Sequence, residues 1–139
     1  MIIGIGHDLV DIGRVAGLLE SGLAARFLER VLTSGERELA AGCAEKRRAE
    51  FVAGRFAAKE AVVKALGCGI GAKVSFADIH IGKDPMGKPE ALLTEAAWKR
   101  LGLDGSRIRL FVTITHERGL ASAFAVAEDR PDSGMRLIR

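Results

Sequence analysis

Residues 50–67 read EFVAGRFAAKEAVVKALG, and this stretch carries the strongest structural signal in the sequence. It forms the larger part of a helical run from Lys46 to Leu66, in which small apolar and charged residues recur at helical spacing. The run is followed by Gly67, Gly69 and Gly71, and glycine just past a helix is a common stop. The sequence therefore predicts one long helix at mid-chain.

The segment before this helix predicts one short strand and three further helices. Ile2–Ile5 is an apolar strand candidate that ends at Gly6. Helical spacing predicts the first two helices, whose faces are Val10, Arg14 and Leu18, and Leu23, Phe27 and Val31. The third begins at the T-x-x-E pattern of Thr33–Glu36, which has the form of a capping box.

The segment after the long helix is richer in strands. The predicted elements are a strand at Val74–Ile81, a turn at Lys83–Pro89, a strand at Glu90–Leu93, a helix at Thr94–Leu101, and strands at Ile108–Thr115 and Leu120–Ala127 joined by a loop at His116–Gly119. Because most predicted helices precede most predicted strands along the chain, the sequence predicts a single α+β domain over residues 1–128, with N-terminal helices packed on a mainly antiparallel sheet. Residues 129–139 are polar and are predicted to be a disordered tail.

The composition of the 139 residues argues against several classes of protein. Lysine and arginine are spread along the chain with acids between them, and aromatic residues make up 5%, so binding of nucleic acid by base stacking has little support. No apolar run reaches the roughly 18 residues of a membrane span, so no membrane partner is expected. Cys43 and Cys68 form no C-x-x-C pattern, which argues against zinc or a disulfide framework and suits a reducing cytoplasm.

The first segment that could carry chemistry is Gly4-Ile5-Gly6-His7-Asp8. Gly-x-Gly alone is a weak signal, because neither a third glycine at the phosphate-loop spacing nor a phosphate-loop lysine follows. Asp8 also has a structural interpretation, since a carboxylate near a helix start interacts favourably with the helix dipole. A carboxylate at the end of a buried strand is equally a natural place to hold a cation.

The second segment lies in the long helix, where Phe56, Glu60 and Lys64 are four residues apart and share one face. One interpretation is a surface ion pair between Glu60 and Lys64 worth about 0.2–0.5 kcal/mol. The other is a carboxylate that faces a site, because its neighbours Ala57 and Ala61 are small and apolar. The pattern leaves both open.

The third segment is Thr113–Glu117, which places His116 at the end of a strand. A single histidine there is more often structural or exposed than catalytic. Spacing does not decide between these roles.

Taken together, the three segments resemble the holo-acyl-carrier-protein synthases, the short bacterial type of 4′-phosphopantetheinyl transferase. The resemblance lies in Gly4-Ile5-Gly6-x-Asp8 followed by Arg14, in Arg55-Phe56-Ala57-Ala58-Lys59-Glu60-Ala61-x-x-Lys64-Ala65, and in Thr115-His116. It runs in order from Ile2 to about Glu128. It implies the fold of that family and transfer of phosphopantetheine from coenzyme A to a serine of acyl carrier protein, in fatty acid biosynthesis.

The resemblance also implies a metal-dependent site. In the family the residues that match Asp8 and Glu60 bind Mg²⁺, which takes few carboxylates and completes its shell with water and substrate phosphates. Lys64, one turn from Glu60, would contact a phosphate beside the metal and offset developing charge. The base that takes the serine proton stays open between Glu60, Asp8 and a water on the metal.

Further residues are expected to contact coenzyme A. Arg55 and His116 are candidates for its other phosphates, and Lys88 and Pro89 for the rim of the pocket. Because phosphoryl transfer depends mainly on positioning and charge neutralisation, basic residues in these places fit the reaction.

The resemblance implies an acidic carrier partner and a trimer. Arg14, Arg26 and Arg30 surround Phe27 on the first two predicted helices and would form a basic docking face, although Glu29 nearby also allows a merely solvated face. A homotrimer with sites between subunits is expected from the family. Two other functions stay open, a non-catalytic module that binds coenzyme A or the carrier, and a small thioester hydrolase that uses Asp8 and His116.

Overall fold

Helices dominate the first half of the chain and strands the second. The computed structural model describes residues 1–131. In chain order the elements are β1 (Ile2–Asp11), α1 (Ile12–Glu20), α2 (Ala24–Val31), α3 (Ser34–Ala41), α4 (Glu45–Ala65), a 3₁₀ turn (Phe76–Asp78), β2 (Ile79–Lys83), β3 (Pro89–Leu93), α5 (Glu95–Leu101), β4 (Ile108–Glu117) and β5 (Leu120–Asp129). None of the described helices combines the length and the apolar character needed to cross a bilayer. The α+β class is confirmed, and α4 matches the predicted long helix to within one residue at each end.

The five strands form two sheets, and both are antiparallel. The larger sheet has the order β1-β5-β4, and the smaller one pairs β2 with β3. In the larger sheet Asp8 is paired with Ala123, and His116 with Ala121. Both candidate side chains are therefore carried by one sheet, on the two strands that flank β5.

The core lies between α4 and the larger sheet and is built from short side chains. The helix buries Ala57, Ala58, Ala61 and Ala65 against alanines on β5, which are Ala121, Ala123, Ala125 and Ala127. Methyl side chains let the helix and the sheet approach closely, and close packing of this kind leaves little room for changes in volume. The faces of α4 and β1 that carry the charged candidates are consequently held at a short, fixed separation.

The prediction for the N-terminal strand was wrong in its length. β1 runs to Asp11 instead of ending at Gly6, because it pairs with β5 along its whole length, as far as Asp11 with Leu120. Val10, predicted on a helical face with Arg14 and Leu18, therefore lies in the strand. The helix starts at Ile12, and Asp11 caps it by accepting a hydrogen bond from the Arg14 amide at 3.2 Å.

Two later boundaries also differ from prediction. The predicted strand Val74–Ile81 begins only at Ile79, because residues 76–78 form a 3₁₀ turn that Ser75 and Asp78 cap. The predicted loop at His116–Gly119 is a two-residue turn. Arg118 and Gly119 have φ of 50° and 76°, the sign that a type I′ turn requires, and His116 and Glu117 remain in β4.

Local signals in the sequence were more accurate. The capping box at Thr33 and Glu36 is confirmed, with both reciprocal hydrogen bonds present. The predicted disordered tail begins too early, because Asp129 belongs to β5 and the Arg130 amide donates to the Arg107 carbonyl at 2.9 Å. Residues 132–139 of that prediction lie outside the described residues.

Candidate active site

Two glycines allow β1 to lie directly against α4. A β-carbon on Gly4 would overlap the carbonyl oxygen of Ala65, and one on Gly6 would overlap that of Ala61. Alternate residues of a strand share one face, so Asp8 follows Gly4 and Gly6 on the face toward α4. The Gly-x-Gly pattern therefore serves helix–strand contact here, and it delivers the Asp8 side chain to the helix.

Lys64 bonds across this contact to Asp8. Its ammonium nitrogen Nζ lies 3.1 Å from Oδ1 of Asp8 and donates a second hydrogen bond to the His7 carbonyl at 2.9 Å. Half of the Lys64 side chain is exposed, so this ion pair contributes at most about 1 kcal/mol to stability. Its partner is a residue of the strand, and the surface pair with Glu60 that the helical spacing allowed is not the interaction that positions Lys64.

Glu60 lies beside this pair as a second carboxylate. Burial is the main cause that raises the pKa of Glu60 above its ordinary value, and the negative charge of Asp8 raises it further, while Lys64 opposes both. The Coulomb effect of Asp8 on Glu60 means that the two carboxylates are close enough to repel each other. A cation between them would relieve that repulsion.

Asp8, Glu60 and Lys64 open into one cavity of about 390 Å³. Its other lining residues are mostly apolar and come from β1, α1, α2 and α4: Leu9, Val10, Asp11, Arg14, Val15, Leu18, Phe27 and Phe56. Charged groups thus sit at one part of a cavity whose walls are hydrophobic, as is usual for small-molecule sites. The structure brings Arg14 and Phe27 into the same cavity as the three charged residues.

The donor set of this cavity suits a metal that needs few protein ligands. Among residues 1–131 no group of three or more His, Cys, Asp or Glu side chains converges in a way that would hold a metal by itself. Mg²⁺ commonly uses one or two carboxylates and takes its other ligands from water and substrate phosphates. Asp8 and Glu60 therefore fit Mg²⁺, and they do not fit a structural zinc site.

Arg55 lies in a second cavity of about 520 Å³, and it precedes Glu60 on α4 by more than one helical turn. The side chain of Arg55 is 6% exposed, and neither Nε nor Nη2 has a hydrogen-bond acceptor among the described residues. Its guanidinium carbon is 4.3 Å from the centre of the Phe51 ring. Burial lowers the pKa of Arg55, while Glu36 and Cys43 act to raise it. A buried cation with two free donors is a strong indication of an anionic ligand.

His116 belongs to the second cavity as well, together with Arg47 and Lys83. Its ring packs over Gly54, where a β-carbon would come within 2.8 Å of Nε2. Gly54, the neighbour of Arg55 on α4, thus leaves the space that His116 needs. The structure brings Arg55 and His116 into one cavity, and this cavity is separate from that of Asp8.

Other predicted site residues lie elsewhere in the single chain. Lys88 and Pro89 line a third cavity with Trp98 and Phe111, and Nζ of Lys88 is 5.8 Å from the centre of the Phe111 ring. Arg26 and Arg30 are exposed on α2 and line neither of the two cavities above. Of the predicted docking residues, Arg14 and Phe27 alone reach the cavity of Asp8.

Sequence reasoning missed a buried ion pair between Lys59 and Glu36. Both side chains are fully buried, and Nζ of Lys59 lies 2.6 Å from Oε1 of Glu36. Lys59 also donates to the carbonyls of Val31 and Phe76, at 2.7 and 3.1 Å. Glu36 accepts from the Ile81 amide at 2.8 Å and from the Thr33 amide at 2.7 Å. The capping box was the visible signal for Glu36, but no local pattern revealed its partner on α4.

Comparison with known proteins gives a consistent family assignment. The family model of the 4′-phosphopantetheinyl transferase superfamily matches residues 4–124. A holo-[acyl-carrier-protein] synthase of Bacillus subtilis is 44% identical over 128 residues, which cover 92% of this chain and 97% of the relative. A crystal structure of the Bacillus anthracis synthase in complex with CoA (3′,5′-ADP) is 40% identical, covers 93% of this chain and 98% of its own, and gives a TM-score of 0.78. The Neisseria meningitidis synthase gives a TM-score of 0.80 at 36% identity, covering 93% of this chain and all of its own.

Proposed function

This chain belongs to the 4′-phosphopantetheinyl transferase superfamily, among the holo-[acyl-carrier-protein] synthases, and we propose how its residues carry out the transfer. The enzyme moves 4′-phosphopantetheine from coenzyme A to a serine of apo-acyl carrier protein. The serine oxygen forms a new bond to the phosphorus that bears pantetheine, the bond from that phosphorus to adenosine 3′,5′-bisphosphate breaks, and the serine proton passes to a base. The single observation that carries the assignment of residues is the meeting of Asp8, Glu60 and Lys64 in one cavity.

Asp8 and Glu60 would hold Mg²⁺. The observation in favour is that two carboxylates face one cavity, where burial and then the negative charge of Asp8 raise the pKa of Glu60. When bound, the ion would neutralise charge on the phosphoryl oxygens. The strand β1 and the helix α4 hold the backbones of Asp8 and Glu60 in place on two sides of the cavity.

Lys64 would contact the phosphoryl group from the side of α4. In the free protein its ammonium group is satisfied by Asp8 and the His7 carbonyl, and the side chain is half exposed. Long side chains of this kind can exchange a carboxylate partner for a phosphate oxygen without a change in the backbone. Lys64 would thereby stabilise the charge that develops on the phosphoryl oxygens in the transition state.

Glu60 is the residue that we assign as the acceptor of the serine proton. A general base needs a carboxylate oxygen within hydrogen-bond reach of the serine hydroxyl. Glu60 lines the cavity into which the substrate must enter. Asp8 is the weaker candidate, because its Oδ1 already accepts a hydrogen bond from Lys64.

The cavity of Arg55 would take the nucleotide end of coenzyme A. Arg55 offers two unsatisfied donors, and Arg47, Lys83 and His116 line the same cavity. Phosphate oxygens are strong acceptors, and guanidinium groups bind them with well-defined geometry. Lys88 and Pro89, which line a third cavity in the single chain, would approach coenzyme A only from a neighbouring subunit.

The carrier would dock beside the cavity of Asp8. Arg14 lines that cavity, and Arg26 and Arg30 are exposed on α2, the helix that contributes Phe27 to the same wall. The carrier serine must reach the cavity, so a basic rim at its entrance is suited to an acidic partner. Because both acyl carrier protein and coenzyme A are used in lipid synthesis, fatty acid biosynthesis is the process that we propose, in the cytoplasm.

The functional unit would be a homotrimer. The outer face of the larger sheet exposes Ile3, Ile5, Leu9 and Phe124, and the side chain of Ile5 is 66% exposed. An apolar sheet face of this kind is typical of an interface between subunits. A closed symmetric oligomer would bury such a face between its subunits, and the number of subunits, three, is taken from the family.

The transfer is tested by incubating apo-acyl carrier protein with coenzyme A, Mg²⁺ and the purified chain. The carrier should gain the mass of one phosphopantetheine arm. A carrier that stays unmodified while coenzyme A binds would indicate a non-catalytic module. Release of thiol from an acyl thioester without metal would indicate the hydrolase instead.

A further inference from the structure

A free thiol lines the cavity that contains Arg55. Cys43 lies just before α4, and its Sγ donates a hydrogen bond to the Leu39 carbonyl at 3.3 Å. Three basic residues line the same cavity, which are Arg47, Arg55 and Lys83, and Glu50 is the one carboxylate among its lining residues in the described part of the chain. The thiol therefore faces a cavity of net positive charge.

Arg55 shows that this cavity is prepared for an anion. The residue is more than nine-tenths buried, and two of its nitrogens have no acceptor among residues 1–131. The charge of an ionised Cys43 would act on the Arg55 guanidinium and raise the Arg55 pKa, so the thiol and the guanidinium are within electrostatic range of each other. An anionic reagent drawn to Arg55 would enter the cavity that Cys43 also lines.

We propose that Cys43 is a site of reversible thiolation by small disulfides that carry carboxylates, and that the modification blocks the anion cavity. The Cys43 thiol loses its proton to solvent, and the thiolate attacks one sulfur of the disulfide. A bond forms between Sγ and that sulfur, the disulfide bond of the reagent breaks, and its other half leaves as a thiolate. A dithiol reverses the exchange by the same chemistry. The effect on phosphopantetheine transfer rests on the proposed function, whereas the reactivity of Cys43 does not.

Cys68 provides a matched control within the same chain. It is the other of the two cysteines in the sequence, it is also partly buried, and it packs against the main core beyond the end of α4. It does not line the cavity of Arg55. Burial raises the pKa of the Cys68 thiol, with Lys73 opposing. No cluster of cations comparable to that of Cys43 is expected to draw an anionic reagent toward it.

The test compares an anionic with a neutral disulfide at each thiol. The rates of modification by dithiobis(nitrobenzoate), which carries two carboxylates, and by the neutral dithiodipyridine are measured in Cys43→Ser and Cys68→Ser. Dividing the first rate by the second cancels differences in exposure between the thiols. We expect this ratio to be on the order of tenfold higher at Cys43 than at Cys68, because a cluster of positive charge raises the local concentration of an anion. Equal ratios at the two thiols would overturn the proposal.

Three further measurements identify the cause. Raising the salt concentration, or substituting Arg55→Leu, should lower the ratio at Cys43 much more than the ratio at Cys68. Adenosine 3′,5′-bisphosphate should slow modification of Cys43 alone. Because Arg55→Leu replaces a buried residue, the salt series tests the same point if that variant does not fold. A ratio at Cys43 that is independent of salt would contradict the role of the cations.

The effect of the modification on function is measured as the rate of phosphopantetheine transfer to the carrier. The rate of each variant after treatment is divided by its own rate before treatment. Treatment with dithiobis(nitrobenzoate) should abolish transfer by the wild type and by Cys68→Ser, a dithiol should restore it, and Cys43→Ser should keep its rate. Inhibition of Cys43→Ser to the same extent would overturn the proposal. If the untreated chain transfers nothing, the proposed function fails, and the ratio of modification rates still decides the assignment of Cys43.

Discussion

Nζ of Lys64 lies 3.1 Å from Oδ1 of Asp8, although 56 residues separate the two in the sequence. The contact exists because Gly4 and Gly6 remove the side chains that would keep β1 away from α4. It places the charged residues of two distant segments in one cavity, where Glu60 completes the group. The account of catalysis depends on this junction between strand and helix.

Glu60 should lower the stability of the free enzyme. The folded state raises its pKa, through burial first and Asp8 second, so the folded protein binds the Glu60 proton more tightly than the unfolded chain does. The stabilising contribution is therefore present at acidic pH and is lost as the pH rises through the folded pKa. In metal-free, mildly alkaline buffer Glu60→Gln should have a higher Tm than the wild type, and in acidic buffer the difference should shrink.

Thermal unfolding followed by circular dichroism across this pH range measures the effect. Glu38→Gln, at an exposed position of α3, is the matched control and should follow the wild type at each pH. A Glu60→Gln variant that is less stable than the wild type in alkaline buffer would show that Glu60 gains more from Lys64 than it loses by burial.

Arg14→Glu should weaken use of the carrier much more than use of coenzyme A. Reversing a charge beside an acidic partner replaces attraction with repulsion, and we expect the KM for the carrier to rise on the order of tenfold. Arg26→Glu should also raise the KM for the carrier, but by less, because Arg26 lies outside the cavity that Arg14 lines. Steady-state kinetics at several salt concentrations measure both, and activity should fall as salt screens the attraction.

Lys99→Glu, an exposed reversal on α5, is the control and should leave the KM for the carrier unchanged. Equal increases of KM for carrier and coenzyme A in Arg14→Glu would instead place Arg14 in the coenzyme A pocket.

Ile5→Asp should separate the subunits. The substitution puts a charge at an exposed apolar position on the outer face of the larger sheet, where a partner subunit would have to bury it. Light scattering should give about three times 14.8 kDa for the wild type and a single chain mass for Ile5→Asp, with loss of transfer activity. Leu23→Asp, at an exposed apolar position just before α2, is the control and should keep the wild-type mass. A wild-type monomer that is active on dilution contradicts shared sites, and a stable dimer contradicts the count of three.

Lys59→Met should destabilise the fold by about 3–5 kcal/mol, because it leaves Glu36 as a buried charge without its cation. The double variant with Glu36→Gln should recover much of that loss. Urea unfolding of the two single variants and the double variant gives the coupling between them. Additive losses in the double variant would show that the pair is not energetically coupled.

The accuracy of the sequence predictions followed how local each signal is. The capping box at Thr33 needs only residues within one turn, and it was predicted correctly. β1 was predicted too short because its second half is held by pairing with β5, more than a hundred residues away, and Val10 alone cannot reveal that pairing. The ion pair of Lys59 was missed for the same reason, since its partner lies on α3.

The candidate site also combines local signals, which the sequence revealed, with long-range contacts, which it did not. Helical spacing placed Glu60 and Lys64 on one face, but it did not reveal that Lys64 bonds to Asp8 on a distant strand or that all three residues line one cavity. Spacing also did not reveal that Arg55 and His116 line one cavity, because this depends on the packing of His116 over Gly54 and on the pairing of β4 with β5. What joined these segments before the fold was known was the resemblance to a family.

The role of Asp8 and Glu60 in transfer is tested by following the intact mass of the carrier over time with the wild type, Asp8→Asn and Glu60→Gln. With coenzyme A and Mg²⁺ the wild type should add one phosphopantetheine arm to the carrier, and it should add none to a carrier whose acceptor serine is alanine. Each variant should be slower by roughly 10²–10³-fold, the range for loss of one electrostatic contact to a transition state, while its circular dichroism spectrum stays that of the wild type. A chelator should stop the wild type, and added Mg²⁺ should restore it. Full activity of both variants, or transfer that persists in the chelator, would contradict the assignment of Asp8 and Glu60 as the residues that hold the metal.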